Sequence, residues 1–399
     1  MTLFEDVQRI EPAYLEEAIP ARVTDVIADL TSSASSLGRA LHPRSAQSLA
    51  DTVRIMNTYY SNLIEGHNTR PRDIERALRG DLDNDRDRRN LQLEATAHVR
   101  IQAHIDELHQ NGQLPEPASG DWILSLHREF YQDAPREMLL IKGANREFEM
   151  TPGAWRSRPE HDVEVGLHLP PSSERIVDFM GHFERRFRMD RKGTGTRLIM
   201  MAAAHHRFNF IHPFPDGNGR ISRLMSYAMA HWAGIGAHGL WSISRGLARG
   251  LDSRAEYKRY MQHADSPRQG DRDGRGNLSF AALVDFTEWF LKVCLDQVSF
   301  MGSLFDLETL ARRLRRYAEQ QESWKPEAAD LLVEALIRGE FERGDAARIT
   351  RLPERTARRV LKDVIDDGLL ASDTEKGPVS LRFPTKSLDV LFPRLYPEM

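Results

Sequence analysis

Three observations predict a mainly α-helical chain with a small β-hairpin in its middle and a compact α+β domain towards its C-terminal end. Apolar residues recur at helical spacing over most of the 399 residues. Residues 151–171, rich in Pro and Gly with alternating Val163 and Val165, interrupt that period. After Pro326 short helical stretches give way to two short strand-like runs.

Residues 1 to about 112 read as several helices, the clearest at 46–65 and 90–110. Asn111-Gly112-Gln113-Leu114-Pro115-Glu116-Pro117 breaks the period and marks a boundary. A helix resumes at 121–131, and the segment from Thr151-Pro152-Gly153 to Pro170-Pro171 reads as a short hairpin or flap. Helices return at 172–188, 195–210, 220–233 and 278–305. Residues 307–321 form a charged helix whose Arg312, Arg313, Arg315 and Arg316 suit a solvated face. Helix 327–338, short helix 344–350, the turn Arg351-Leu352-Pro353, helix 354–367 and strands at 369–371 and 379–383 follow. That order resembles a winged-helix domain. Its second helix offers Arg355, Arg358, Arg359 and Lys362 to DNA, but residues 303–399 hold 17 basic and 18 acidic side chains, no basic footprint for the whole domain. The expected organisation is an N-terminal helical region (1–113), a core (119–300), a connecting helix (303–323) and a winged-helix-like domain (325–399).

A net charge of −4 supplies no global field towards nucleic acid or anionic membrane. Arginine outnumbers lysine 47 to 8; most arginines belong on solvated faces, while a few are available as bidentate phosphate forks. The single cysteine, Cys294, rules out an intrachain disulfide or a multi-cysteine zinc site, and its apolar surroundings make it a core residue. The N-terminal residues have no signal-peptide pattern, and the apolar run 198–204 is too short for a bilayer, so a soluble cytoplasmic protein without a membrane partner is expected.

The chemistry concentrates in His212-Pro213-Phe214-Pro215-Asp216-Gly217-Asn218-Gly219-Arg220-Ile221-Ser222-Arg223. A histidine precedes a loop of Asp, Gly, Asn and Gly that runs into a helix. Glycines let successive N–H groups face one side as an anion nest, and the helix N-terminus adds positive potential there. Arg220 and Arg223, three residues apart, share one face. A carboxylate among phosphate-binding groups makes sense as a Mg2+ ligand, since Mg2+ takes carboxylate and phosphate oxygens together. His212 is the nearby side chain able to accept a proton near neutral pH. Each piece alone is ordinary; four functional types within a dozen residues are not.

His-x-Phe-x-Asp-Gly-Asn-Gly-Arg-x-x-Arg resembles the signature of the Fic family (Fic/Doc superfamily), which transfers a nucleotide monophosphate, most often AMP from ATP, to a hydroxyl side chain of a protein. The likeness extends over roughly residues 120–300: Gly153-x-x-Arg156, Val165-Gly166 and Leu169-Pro170-Pro171 resemble the target-docking flap and the stretch before it. Tyr257-x-x-Tyr260 and the helix from Leu278 resemble the C-terminal part of the core. The resemblance implies His212 as general base, Phe214 as the core anchor of the loop and Asp216 as the Mg2+ ligand. It implies Gly217, Asn218 and Gly219 as the anion hole, Arg220 supporting the phosphates and Arg223 on the γ-phosphate. Kinase relatives carry Lys where Gly219 stands and phosphocholine-transferring relatives carry Ala at the first loop glycine; neither change is present, so AMP transfer is the expected reaction.

Ser61-Asn62-Leu63-Ile64-Glu65-Gly66 reads locally as an ordinary helix end. Beside this core it resembles the family's inhibitory motif, which implies that Glu65, with Ser61, pairs with Arg223 and takes the place of the γ-phosphate; His67 intervenes before Asn68, a departure from the family pattern. The expectation is an autoinhibited adenylyltransferase using ATP and Mg2+ on a protein hydroxyl, with self-modification, AMP removal and a homo-oligomer left open. The alternative is a winged-helix DNA-binding regulator whose core senses nucleotide. His205 and His206, about 100° apart on a helix, suit packing rather than shared metal binding. Asp271-x-Asp273-Gly274 fails as a calcium loop, because Arg275 stands at a ligand position and Ala282 at the closing one.

Overall fold

Helix boundaries follow local capping chemistry in a computed structural model that describes residues 5–16, 19–143, 146–166 and 168–396. The first helices are α1 (Ala21–Gly38), α2 (Pro43–Ile64), α3 (Pro71–Leu78) and α4 (Arg86–Gln110). Pro71 opens α3, where its missing N–H is harmless, and the Asp85 carboxylate caps α4 by accepting from the Arg88 N–H at 3.0 Å. Ser119 caps α5 (Gly120–Tyr131) in the same way, and the single turn α6 (Arg136–Leu139) leads into strands β1 (Leu140–Gly143) and β2 (Arg146–Glu149). They pair antiparallel from Leu140↔Glu149 to Gly143↔Arg146. The regular hairpin therefore lies just before the segment where the sequence suggests one. Among the described residues of 151–171 only a single bridge, Val165↔His168, forms, because the prolines at both ends remove ladder donors.

The centre is built by α7 (Ile176–Phe187), α8 (Thr194–Ile211) and α9 (Asn218–Trp232). Every residue of α8 from Leu198 to Phe208 is buried, apolar from Leu198 to Ala204 and then including His205, His206 and Arg207, so the helix forms part of the core itself. Two further helices, α10 (Ile243–Arg249) and α11 (Glu256–Ala264), precede the long α12 (Phe280–Leu304), whose Cys294 is fully buried, with its thiol pushed up by that burial.

The chain divides into two compact units. One comprises residues 1–32, 57–236 and 242–297; the other comprises 33–56, 237–241 and 298–399. This division is spatial rather than linear: the early part of α2 belongs with the C-terminal residues, where the Ser45 hydroxyl donates to the Leu336 carbonyl at 2.9 Å. The second unit also holds α13 (Leu307–Glu319), α14 (Ala328–Arg338), β3 (Glu340–Phe341), α15 (Ala346–Thr350), α16 (Glu354–Asp366), β4 (Leu370–Ala371), β5 (Val379–Leu381) and α17 (Leu388–Leu391). Its sheet has the order β3-β5-β4, all antiparallel, so a third strand, β3, joins the two expected from sequence.

Candidate active site

The candidate site forms where the C-terminus of α8 meets the N-terminus of α9. Helix α8 ends at His212, which adopts a left-handed conformation (φ +51°, ψ +61°) uncommon for a side-chain-bearing residue. Arg156 holds that turn. It is fully buried, and its guanidinium donates to the His212 carbonyl (2.7 Å), the Ile211 carbonyl (3.1 Å), the Pro171 carbonyl and the Ser173 hydroxyl (2.9 Å). Burial lowers its pKa only to about 10, so it stays charged. One arginine thus satisfies the orphan carbonyls at the end of α8 and ties them to the flap segment. Burial, with Arg156 beside it, lowers the His212 imidazole to about 4, which keeps the ring neutral at ordinary pH; its buried Nδ1 has no hydrogen-bond partner among the described residues.

Phe214 is fully buried and stacks on His127 with ring centroids 3.9 Å apart. The Gly153 N–H donates to His127 Nδ1 (2.8 Å), so Nε2 carries the proton and donates to the Asp216 carbonyl (3.3 Å). The Asn218 side chain closes the loop, accepting from the Phe214 N–H (2.9 Å) and donating to the Phe214 carbonyl (2.8 Å). Its amide therefore shapes the loop, and only its backbone remains for an anion. Gly217 sits at φ +81°, and a Cβ there would lie 2.9 Å from the Tyr131 hydroxyl. No side chain caps α9, so its first N–H groups face the cavity.

Asp216 accepts from the Tyr131 hydroxyl (2.9 Å) and from Arg220 Nη2 (3.3 Å), with its side chain 45 % exposed. Burial works to raise its carboxyl, but Arg220 and its hydrogen bonds outweigh that and hold it below the usual range. Arg220 is buried over the Phe130 ring and forms a close ion pair with Glu94 of α4. Burial pushes the Glu94 carboxyl up against the pull of Arg220.

Arg223, also buried, donates Nε to the Ser61 hydroxyl (2.9 Å) and Nη2 to Glu65 (2.6 Å). Glu65 sits at the C-terminal end of α2 in a Schellman arrangement: Gly66 (φ +87°) bonds back to Leu63 (3.1 Å) and His67 to Asn62 (2.9 Å). A Cβ on Gly219 would lie 2.5 Å from Glu65 Oε1, so the carboxylate rests directly over the first turn of α9. Burial works to raise the Glu65 carboxyl, yet Arg223 and Arg220 hold it below its usual range. The helix carrying it is pinned by a buried polar network: Asn57 to Gln102 (2.5 Å), Thr58 to His98 (3.0 Å) and the Ser242 hydroxyl to Asn57 (2.6 Å).

His212, Gly219, Arg223 and Glu65 line one cavity of about 960 Å³, together with Tyr257 and Asn277. Arg9 also borders it and donates to the Leu169 carbonyl (3.0 Å), while the His168 ring bonds the Phe210 carbonyl (2.7 Å), so the C-terminal end of the flap turn is fastened. Among the described residues no three His, Cys, Asp or Glu side chains gather as a metal cage, and Asp216 is an ionised, partly open carboxylate. That suits Mg2+ brought in with phosphate oxygens. His205 and His206 are fully buried and bonded to Ser226, Tyr257 and Met261. Asp273 accepts backbone N–H groups of Gln269 and Ala281 (both 2.8 Å). Sequence reasoning missed Glu94, Tyr131 and His127, which lie on helices with no local signal, and gave Arg156 no role although it noted the residue.

Residues 117–230 match the family model of the Fic/DOC family. A stretch of 74 residues is 38 % identical to the protein adenylyltransferase Fic of Drosophila melanogaster and to that of Drosophila sechellia, covering 18 % of this chain. The match spans 15 % of the length of those curated relatives. Among solved structures, a Fic family protein from Desulfovibrio desulfuricans G20 superposes with a TM-score of 0.52 at 17 % identity, covering 92 % of this chain and 98 % of that one. A Fic domain containing signaling protein from Bacteroides thetaiotaomicron VPI-5482 also reaches 0.52, at 19 % identity over 70 % of this chain and 96 % of that one. At such identities the structural likeness is one of fold.

Proposed function

Because this chain carries a Fic domain, we propose that it is a protein adenylyltransferase held in an inhibited state by its own Glu65, transferring AMP from ATP to a Ser, Thr or Tyr hydroxyl of a protein. The observation that carries this reading is the Glu65–Arg223 pair, whose carboxylate rests over Gly219 in the cavity that also holds His212. A carboxylate anchored by an arginine at an uncapped helix N-terminus stands where a phosphate would be bound.

In the reaction, His212 accepts the proton of the target hydroxyl. The oxygen attacks the α-phosphorus in line, the bond from that phosphorus to the bridging oxygen breaks, and pyrophosphate leaves. The neutral His212 ring, fixed through its carbonyl by Arg156, is ready to take the proton. The N–H groups of Gly217, Asn218 and Gly219 cradle phosphate oxygens, Arg220 steadies them, and Arg223 grips the γ-phosphate once Glu65 releases it. Asp216 would hold Mg2+, which neutralises phosphate charge when bound. With Glu65 in place, ATP lies with its α-phosphate out of line and transfer is slow.

The test is mass spectrometry of purified Glu65→Gly protein incubated with ATP and Mg2+. A mass increase of one adenylate, absent from Glu65→Gly/His212→Ala, is expected; loss of the base should lower the rate about 10²–10⁴-fold. An adduct that survives His212→Ala refutes the mechanism.

A second reading has its own observation. In the second unit, which we read as winged-helix-like, Arg355 and Arg359 on α16, and Arg351 just before it, are exposed without a carboxylate partner among the described residues, whereas Arg358 and Lys362 are paired with Glu354 and Asp366. Such a stripe suits a DNA backbone. A salt-dependent gel shift lost in Arg355→Ala/Arg359→Ala would support a DNA partner. The protein target, self-modification, an oligomer and a cytoplasmic location belong to the same proposal; among the described residues no helix is long and apolar enough to cross a membrane.

A further inference from the structure

We propose that Glu94 is a positioning residue that keeps Asp216 available to a divalent cation by taking up the charge of Arg220; this rests on reading Asp216 as the metal ligand. Arg220 lies between two carboxylates. Its Nη1 meets Glu94 in a close ion pair, and its Nη2 reaches Asp216 only at 3.3 Å. The guanidinium is 6 % exposed and the Glu94 side chain 12 %, so water screens neither. Asp216, at 45 %, is the carboxylate that opens to solvent.

With Glu94 present, the cluster of Arg220, Glu94 and Asp216 carries one net negative charge, placed on the open carboxylate. Without it the cluster is neutral, and in the Glu65→Gly protein the buried guanidinium, left with Asp216 as its carboxylate, closes on it as a two-point fork. Asp216 would then be a weaker oxygen ligand. The Tyr131 hydroxyl, which donates to Asp216 at 2.9 Å and lies 3.4 Å from Arg220, cannot replace Glu94, because it brings no charge. Glu94 thus acts on the metal through another residue, as outer partners of metal ligands do. Its place on α4, nine residues after the Asp85 cap and far from the 212–223 motif in sequence, keeps it invisible to motif reading.

The experiment uses full-length Glu65→Gly protein and follows Mn2+ binding by electron paramagnetic resonance in the presence of α,β-methylene ATP, which cannot donate AMP. Adding Glu94→Gln, which keeps the shape and one hydrogen bond but removes the charge, is expected to raise the Mn2+ concentration for half-saturation about tenfold. Adding Glu94→Asp, which keeps the charge, should leave it within about threefold and remains informative if the glutamine variant fails to fold. Unchanged Mn2+ binding in Glu94→Gln, or an equal loss in Glu94→Asp, overturns the proposal. Mn2+ binding that Asp216→Ala leaves intact overturns it together with the reading of Asp216. An Mn2+ shift in a protein that transfers no AMP would instead sink the proposed activity and leave this inference standing.

Discussion

Arg220 and Arg223 sit one turn apart on α9, both buried and both paired with a glutamate, yet the two glutamates are held differently. Glu65 comes from the end of a helix, seated by a glycine turn, with its side chain 30 % exposed in the cavity. Glu94 comes from the interior of α4, with its side chain 12 % exposed. A carboxylate at a helix end can leave by unwinding one turn, and water is at hand to solvate it. A carboxylate in mid-helix cannot leave without moving the helix, and exposing it alone carries a desolvation penalty for its partner. On the proposed reading, one pair would open and the other would stay. Under the proposed mechanism the same residue types, on the same helix face, would serve as a brake and as a brace.

The largest expected break in this comparison is Glu65→Gly, which should raise AMP transfer about 10–100-fold, the span of a coupling of about 1.4–2.7 kcal/mol. Radiolabel transfer from α-labelled ATP measures it. In the opposite sense, Glu94→Gln alone should not activate; its effect is the roughly tenfold change in metal requirement. Smaller again is Gly66→Ala. The left-handed φ of +87° at that position costs a side-chain-bearing residue about 1 kcal/mol. We expect activation of a few-fold and a fall in Tm of about 2–4 °C, read by calorimetry. The smallest effect is on pH dependence. Glu65 is held below its ordinary 4.5, so the stability it contributes is present above that value and is lost as pH falls through its lower folded value. The ratio of Glu65→Gly to wild-type rates should accordingly stay flat from about pH 6 to about pH 9.

The residues from His212 to Arg223 were legible in the sequence because their chemistry is local: a turn, a nest and a helix start made by neighbours. The long helices were legible for a similar reason, since apolar spacing marks the buried faces of α4, α8 and α12. Glu65 was legible only through resemblance, because a glutamate before a helix-ending glycine carries no message of its own. Glu94 was not legible at all. Nothing in a charged stretch of α4 says which carboxylate will meet Arg220, 126 residues away. The hairpin at 140–149 was missed because its strands are four residues each and carry more charged than apolar side chains, whereas the flap at 165–168 drew attention with prolines and valines and formed one bridge among the described residues. In the second unit β3 is two residues long, too short for any alternation to register.

The most direct test of the brake and the brace is a side-by-side measurement of initial AMP-transfer rates from α-labelled ATP at fixed Mg2+ for wild type, Glu65→Gly and Glu94→Gln. The account predicts that Glu65→Gly exceeds wild type by at least about tenfold while Glu94→Gln does not exceed it. A Glu65→Gly rate no greater than wild type, or a Glu94→Gln rate matching Glu65→Gly, would contradict it.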